Sequence, residues 1–415
     1  MSRAVRWSML ATAVVALVVV PSALPAPLLA PAVQMLIAAL FASAFNVLAG
    51  QAGMLSFGHA AFFGVGAFAT LHAMGGSDGA AGLLPTPLLP LAGGIAGLLI
   101  GLVAGWFSTL RSGVYFSMIT LALAELLHAL APQVKSVFGG ESGISAMRMP
   151  AWGCKFGDTR QVYYLTLVWV LGSLAALWWI TRTPFGRVTL ALRDNDQRLG
   201  FLGFHSHRLK VVVFALSAAF SGIAGGLQAV NSEAANYALF ELHVSSVVVL
   251  NTYIGGTGAF LGPAVGAAVM TFFGYAISDL TRSWMLYQGI LFVLIMMYLP
   301  NGFVGLAERI ALAVRVGRVW VSVGRAALAV AGTLLIAAGI VFGVELLQRL
   351  FAQDYQVQRS LSGGGWPALD AFGWRWNPVS AVTWLVPLIL AGAGAAVALV
   401  ARHAAAAREE LEVEP

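Results

Sequence analysis

The sequence predicts an all-α protein, a polytopic transmembrane helical bundle whose helices are interrupted at glycine-rich breaks. Three observations predict it. The chain is 59% hydrophobic and only 10% charged, with a mean hydropathy of +0.85. A soluble domain carries roughly a quarter charged residues, so this chain cannot cover a water-facing surface. Its apolar residues fall into runs near the ~20 residues that an α-helix needs to cross a bilayer. Its charges gather between those runs, above all in one polar island, Arg182–Lys210, with six basic residues and two acids, Asp194 and Asp196.

The apolar runs place candidate spans at about 8–29, 32–50, 54–73, 88–108, 113–133, 163–181, 210–230, 241–255, 260–278, 284–300, 320–343 and 381–401. Arg3 and Arg6 precede the run Met9–Val20, with small residues and prolines after it. That pattern resembles a cleavable signal peptide, but we expect it to be kept as a first span. The stretch 241–278 reads as two segments joined at the break Gly255–Gly258. The composition changes near Leu306, which divides the chain into a membrane core of about ten spans, 1–306, and a C-terminal extension, 307–415. The extension holds a basic connector, two further spans around a loop rich in Gly, Trp and Pro, and an acidic tail.

Basic residues set the orientation. With the N-terminus inside and twelve spans, the inner side receives Arg3, Arg6, Arg111, the six of the island, Arg309, Arg315, Arg318, Arg325, Arg402 and Arg408. Eight of the 23 Lys and Arg fall outside. Both termini and the island are therefore expected in the cytoplasm. A single span over 241–278 would put Arg309–Arg325 outside, which favours two segments. The net charge of +6 is explained by this rule, and no nucleic-acid partner is expected. The one cysteine, Cys154, permits no internal disulfide and no multi-cysteine metal site.

Four segments carry candidate chemistry. Gly50–Thr70 reads GQAGMLSFGHAAFFGVGAFAT, where Ser56, Gly58 and His59 put polar groups and flexible backbone at membrane depth. Broken helices near the midplane expose backbone to substrate in transporters; close helix packing through small residues explains the same pattern. Glu125, with His128 three residues on, is the only acid well inside an expected span. Gating, binding of a substrate ammonium and a structural pair with His128 all fit it. Ile254–Gly266, IGGTGAFLGPAVG, supplies Gly255, Gly256 and Gly258 and faintly echoes the first break. Within the island, Pro184–Gly186 ends the preceding span, and Val188–Leu202 reads as a short amphipathic helix. Leu190, Leu192 and Leu199 are its apolar contacts, and Gly203 its stop. That segment is either a docking site for a soluble partner or a solvated positive-inside loop.

The chain has no G-x-x-x-x-G-K-[ST] phosphate loop, no H-E-x-x-H and no Asp-rich cluster. No catalytic residue, metal or bound cofactor is expected. A self-sufficient secondary transporter needs an intramembrane ion or proton path, for which only Glu125 is available. A membrane enzyme needs paired carboxylates or metal ligands.

Taken in order, NVLAGQAGMLSFGHAAFFGVGAF (46–68), SGVYFSMITLALAELL (112–127), TPFGRVTLALRDNDQRLGFLGFHSHRLK (183–210), FALSAAFSGIAGGLQA (214–229), IGGTGAFLGPAVGAA (254–268) and YLPNGFVGL (298–306) resemble a known family. It is the membrane permease subunits of bacterial branched-chain amino acid ABC importers, of the LivM type. The resemblance implies a bacterial inner-membrane protein whose island is a cytoplasmic coupling helix, with Arg193, Asp194, Asn195, Asp196 and Gly203 in its most recognisable part. It implies cytoplasmic ATPase subunits that bind ATP and Mg, a second permease subunit, a periplasmic substrate-binding protein and surrounding lipid as partners. It favours a transport role for the Gly50–Thr70 segment. The cargo it implies is a branched-chain or related amino acid, with urea, amides or other small organic acids as variants on the same machinery. The chain departs from the family in continuing through 306–415, and its outer loop Gln133–Gln161 lies in a region that varies there.

Overall fold

The computed structural model describes residues 3–75, 84–278, 284–299, 301–306, 319–361, 365–371 and 374–413. The basic connector with Arg309, Arg315 and Arg318 lies outside them, as does Arg282. Cα packing gives two units, Met1–Asp279 with Leu299–Gly305, and Leu280–Tyr298 with Leu306–Pro415. The fold is all-α. Among the described residues, strands form only two short antiparallel pairs.

In the first unit α1 (Arg3–Ala23) leads to α2 (Leu29–Asn46), which runs on into a π-helical turn, Val47–Gln51. After an irregular stretch the chain re-enters helix at α3 (His59–Ala73). There follow α4 (Leu89–Ser108), α5 (Val114–Leu130), the short α6 (Lys135–Phe138) and α7 (Thr159–Arg182). The island forms α8 (Pro184–Asp194) and α9 (Asp196–Phe201). The long α10 (Ser206–Ser232), α11 (Leu242–Gly255) and α12 (Gly262–Ser278) complete the unit. Pro21 has no N–H for the carbonyl of Leu17 in α1. Tyr163 Oη of α7 donates to that carbonyl instead, at 2.8 Å, and Tyr164 Oη to the next, Val18, at 3.2 Å.

Twelve spans were expected, and each has a helix, but the helices are not twelve full crossings. Five among the described residues are long and apolar enough to cross a membrane. A sixth counts if the bent pair Val114–Leu130 and Lys135–Ser142 is one span. The expected span 54–73 begins only at His59. α3, α11 and α12 have 15, 14 and 17 residues, so they extend about 21–26 Å at ~1.5 Å per residue, short of a ~30 Å hydrocarbon core. The cause is local backbone. Gly53 at φ +69° and Gly256 at φ +99° turn the chain where other residues are strained. The 241–278 stretch is accordingly two helices separated by a break, as the charge count favoured.

α10 is the hub of this unit, and small residues let it approach α3 and α4 closely. A Cβ on Gly222 would lie 2.2 Å from the Gly93 carbonyl oxygen and 3.1 Å from the Gly97 Cα of α4. On the next turn a Cβ on Gly225 would lie 1.9 Å from the Phe63 carbonyl oxygen of α3. Larger side chains along α10, such as Phe214 and Leu227, are fully buried beside this seam.

The second unit contains α13 (Trp284–Tyr298), α14 (Val319–Phe351), α15 (Gln353–Leu361) and α16 (Ala381–Val413), with the strand pair β1 (Leu369–Ala371) and β2 (Trp374–Trp376). α14 and α16 form an antiparallel pair in which Gly339 abuts the Pro387 carbonyl and Gly394 the Gly332 carbonyl. The buried Glu345 carboxylate is satisfied by Arg349 Nε at 3.0 Å and Tyr287 Oη at 3.1 Å.

Gly222→Val should destabilise the protein by about 1–3 kcal/mol, because the valine must push α4 away. Gly172→Ala, mid-helix in α7 where nothing lies within 4 Å, should leave stability unchanged or raise it by up to about 1 kcal/mol. Thermal melting of the detergent-solubilised protein, followed by size-exclusion monodispersity, measures both.

Candidate coupling segment and translocation site

α7 ends because Pro184 cannot continue it. Thr183 instead caps α8, its Oγ1 accepting from Gly186 N–H at 3.4 Å. The sequence suggested one amphipathic helix over 188–202, and the structure corrects this to two. Asn195, with φ −163° and ψ 107°, leaves the helix, and its Oδ1 accepts from Arg198 N–H at 3.1 Å. That cap competes with continuation of the helix and starts α9. Gly203, at φ +84°, closes α9 as expected. Phe204 N–H donates to the Leu199 carbonyl and Gly203 N–H to that of Gly200, each at 3.1 Å.

The charged residues of the island divide by direction. Arg193 Nη1 donates to the carbonyl of Gly50, in the π-helical turn after α2, at 2.8 Å. Asp196 pairs with Lys210, whose Nζ also donates to Ser112 Oγ at 3.0 Å and which is only 8% exposed. Burial alone would raise the Asp196 carboxyl pKa. The hydrogen bond and charge of Lys210, with help from Ser206, outweigh it and hold the group below the usual carboxylate range. Of the five residues expected to couple, Arg193 stays exposed while its guanidinium reaches the Gly50 carbonyl, Asp196 is half-buried against Lys210, Asn195 and Gly203 shape the backbone, and Asp194 stays at the surface.

Sequence reasoning missed the outward apolar tip. Phe201 is 90% exposed, Leu202 68% and Phe204 47%. Two of the expected apolar contacts, Leu192 and Leu199, are instead buried against the core with Val47, Leu48 and Phe214, whereas Leu190 is exposed. The available signal was the sequence FLGF, aromatic residues bracketing a helix-stopping glycine.

The break between α2 and α3 holds the polar residues expected there. His59 is 1% exposed and Ser56 fully buried. His59 Nδ1 lies 3.0 Å from Ser56 Oγ and Nε2 lies 2.8 Å from Ser217 Oγ of α10. Ser217 Oγ donates to the Ala44 carbonyl at 2.6 Å, so it accepts from Nε2–H, and Nδ1 accepts from Ser56. The proton of the neutral imidazole is thus assigned to Nε2, and the chain of donors ends on a carbonyl that passes no proton on. Phe45, Phe62 and Phe214 surround the ring edge-on. Gly58 lies against α5, where a Cβ would be 2.2 Å from the Thr120 carbonyl.

Glu125 and His128 do form a pair, with 3.9 Å between Oε2 and Nδ1. The Glu125 side chain is 49% exposed, on a face of α5 shared with Met118 and Leu126. At the second break, Gly255 and Gly266 let α11 and α12 cross, and Gly256 lies against Asn301. Gly258 has nothing within 4 Å. The second break nevertheless meets the first, since a Cβ on Gly50 would lie 2.9 Å from the Thr257 carbonyl oxygen. A cleft of about 350 Å³ lies between the island and the first break, lined by Gly53, Leu55, Arg111, Ser117, Arg193 and Lys210 among others. Among the described residues no three His, Cys, Asp or Glu are grouped to hold a metal.

The family described as branched-chain amino acid transport system, permease component, matches residues 27–300. The high-affinity branched-chain amino acid transport system permease proteins LivM of Salmonella typhimurium LT2 and Escherichia coli K12 are each 28% identical over 282 residues, which is 62% of this chain. The chain spans 65% of the length of those two relatives. The probable branched-chain amino acid transport permease protein LivM of Methanocaldococcus jannaschii is 24% identical over 236 residues, 50% of this chain and 65% of its own. No solved structure matches. The match over residues 27–300, on an all-α bundle with several membrane-length helices, identifies the chain as a member of the branched-chain amino acid transport system permease family.

Proposed function

We propose that this chain is the membrane-spanning subunit of an ATP-driven importer of branched-chain or related amino acids in a bacterial inner membrane, with both termini cytoplasmic. Residues 1–306 serve as the permease core and 307–415 as an appended part. The chain itself hydrolyses nothing. ATP and Mg act at separate ATPase subunits, a second permease subunit completes the path, and a periplasmic protein delivers the cargo. The observation that carries this reading is the exposed apolar tip of Phe201, Leu202 and Phe204 on a charged two-helix segment, in a chain of a transport permease family. Aromatic side chains held out on a rigid, capped element are suited to fill a pocket on a soluble partner.

The path itself runs beside the broken helices, with Ser56, Gly58 and His59 at the first break and Gly255, Gly256 and Gly258 at the second. Glu125 supports a place on this path, because a half-exposed carboxylate on an otherwise apolar helix face requires polar surroundings at membrane depth. Such surroundings arise where a second permease subunit and a hydrated cargo path meet that face of α5.

Replacing Phe201 and Leu202 together by alanine should weaken retention of the ATPase subunits about 30-fold, a loss of roughly 2 kcal/mol typical of an anchoring aromatic. Co-purification from membranes measures it, and undiminished retention would remove the tip from the interface. Glu125→Gln should change the uptake rate or its half-saturation by roughly tenfold; unchanged kinetics in proteoliposomes would return the residue to a structural pair with His128. Uptake driven by an ion gradient in the absence of ATPase subunits would replace the importer with a secondary transporter. Calorimetry on the associated binding protein identifies the cargo: a branched-chain amino acid is expected, and a sole preference for urea, an amide or a small organic acid would change the substrate class.

A further inference from the structure

Arg193 stays exposed on the island, but its guanidinium bridges to the turn after α2, and that bridge gives the residue a task apart from docking. Arg193 stands in the last turn of α8 and donates to the Gly50 carbonyl at 2.8 Å. That carbonyl belongs to the π-helical turn Val47–Gln51; such turns break the regular helical ladder and recur at functional sites. Gly53, at φ +69°, is pressed on the same residue: a Cβ there would lie 2.9 Å from Arg193 Cγ and 3.3 Å from its Cα. α8 is therefore seated on the chain immediately before the irregular stretch 53–58.

That stretch is gripped by α5. Ser117 Oγ of α5 donates to the Leu55 carbonyl at 2.5 Å, and Phe57 N–H donates to Thr120 Oγ1 of α5 at 3.3 Å. It leads into His59, which Ser217 of α10 ties back to Ala44 of α2. The island's second attachment, Asp196 to Lys210, also enters α10. α8 and α9 carry their own caps at Thr183, Asn195 and Gly203, so they do not need the Arg193 bond to form. The adjoining cleft of about 350 Å³, lined by Gly53, Leu55, Arg193 and Ser117, lets the segment shift without overpacking a filled core.

We propose that Arg193 is a positioning residue that transmits displacement of the island to the π-helical turn and the 52–58 stretch, and does not itself contact the ATPase. This rests on the reading that the island engages an ATPase. The test uses the complete reconstituted importer with Arg193→Met, which keeps the chain length and removes the donor, and Arg193→Lys, which keeps one donor. The readouts are retention of ATPase subunits, ATP hydrolysis, and uptake per ATP hydrolysed. Arg193→Met should retain the ATPase and its hydrolysis but lose about tenfold in uptake per ATP, the scale of one charge-assisted hydrogen bond, with partial recovery in Arg193→Lys. Loss of the ATPase subunits, or unchanged uptake per ATP, overturns the proposal. A wild-type chain that binds no ATPase overturns the underlying reading instead. Should the variants not assemble, Met54→Cys in a Cys154→Ser background keeps Arg193 in place. Nucleotide-dependent thiol labelling at 54 is expected, and labelling indifferent to nucleotide overturns the proposal.

Discussion

The structure depends on how polar groups are answered where α2 and α3 are broken apart. The chain turns back between α2 and α3, with Phe45 against His59 and Phe41 against Phe63, and that irregular turn frees backbone donors and acceptors that must find partners where they are buried. Here other helices supply the partners. Arg193 of α8 serves the Gly50 carbonyl, Ser117 of α5 the Leu55 carbonyl, and Thr120 of α5 the Phe57 N–H. Ser245 of α11 accepts from Ala60 N–H at 2.9 Å, and Ser217 of α10 serves the Ala44 carbonyl. Four helices are thus tied to one interruption. None of them can shift far without changing the bonds at this joint, and the island is one of the four.

The glycine seam explains why α10 can take part. Gly222 and Gly225 bring its backbone against α4 and α3, so that Ser217, one to two turns earlier, reaches both His59 and α2. Bulky packing would hold these helices farther apart and leave the serine short of its partners. Ring edges of Phe45, Phe62 and Phe214 keep the imidazole dry. His59 in this conformation is a structural pin whose two nitrogens are both engaged, set next to a stretch that the island touches.

Much of this was legible in the sequence, for definite reasons. Hydropathy and the run lengths pointed to the helices, and the count of Lys and Arg favoured the break at Gly255–Gly258. Pro184 marked the end of the preceding span and Gly203 the stop of the island's helix, while the start at Pro184 under the Thr183 cap, four residues before the expected Val188, was not seen. Three features were not legible. The split of the island at Asn195 depends on a side-chain cap competing with helix continuation, and RDND permits either outcome. The attachment of Arg193 and Asp196 depends on partners at Gly50 and Lys210, the first of them 143 positions away. The shortness of α3 follows from a left-handed glycine at 53 that the Ala- and Phe-rich hydropathy around it hides. The exposed tip at Phe201 escaped because the apolar positions of the island were assigned to helix packing, and hydropathy alone does not tell which of them face outward.

The central claim is that the joint at 47–58 moves when the island is displaced. Hydrogen exchange of the assembled importer, compared with and without bound nucleotide, tests it most directly. The account requires nucleotide-dependent exchange at the amides of 52–58, with little change along the buried middle of α10 where the glycine seam holds. Identical exchange at 52–58 in both states, with the change confined to the exposed face of the island, would contradict it.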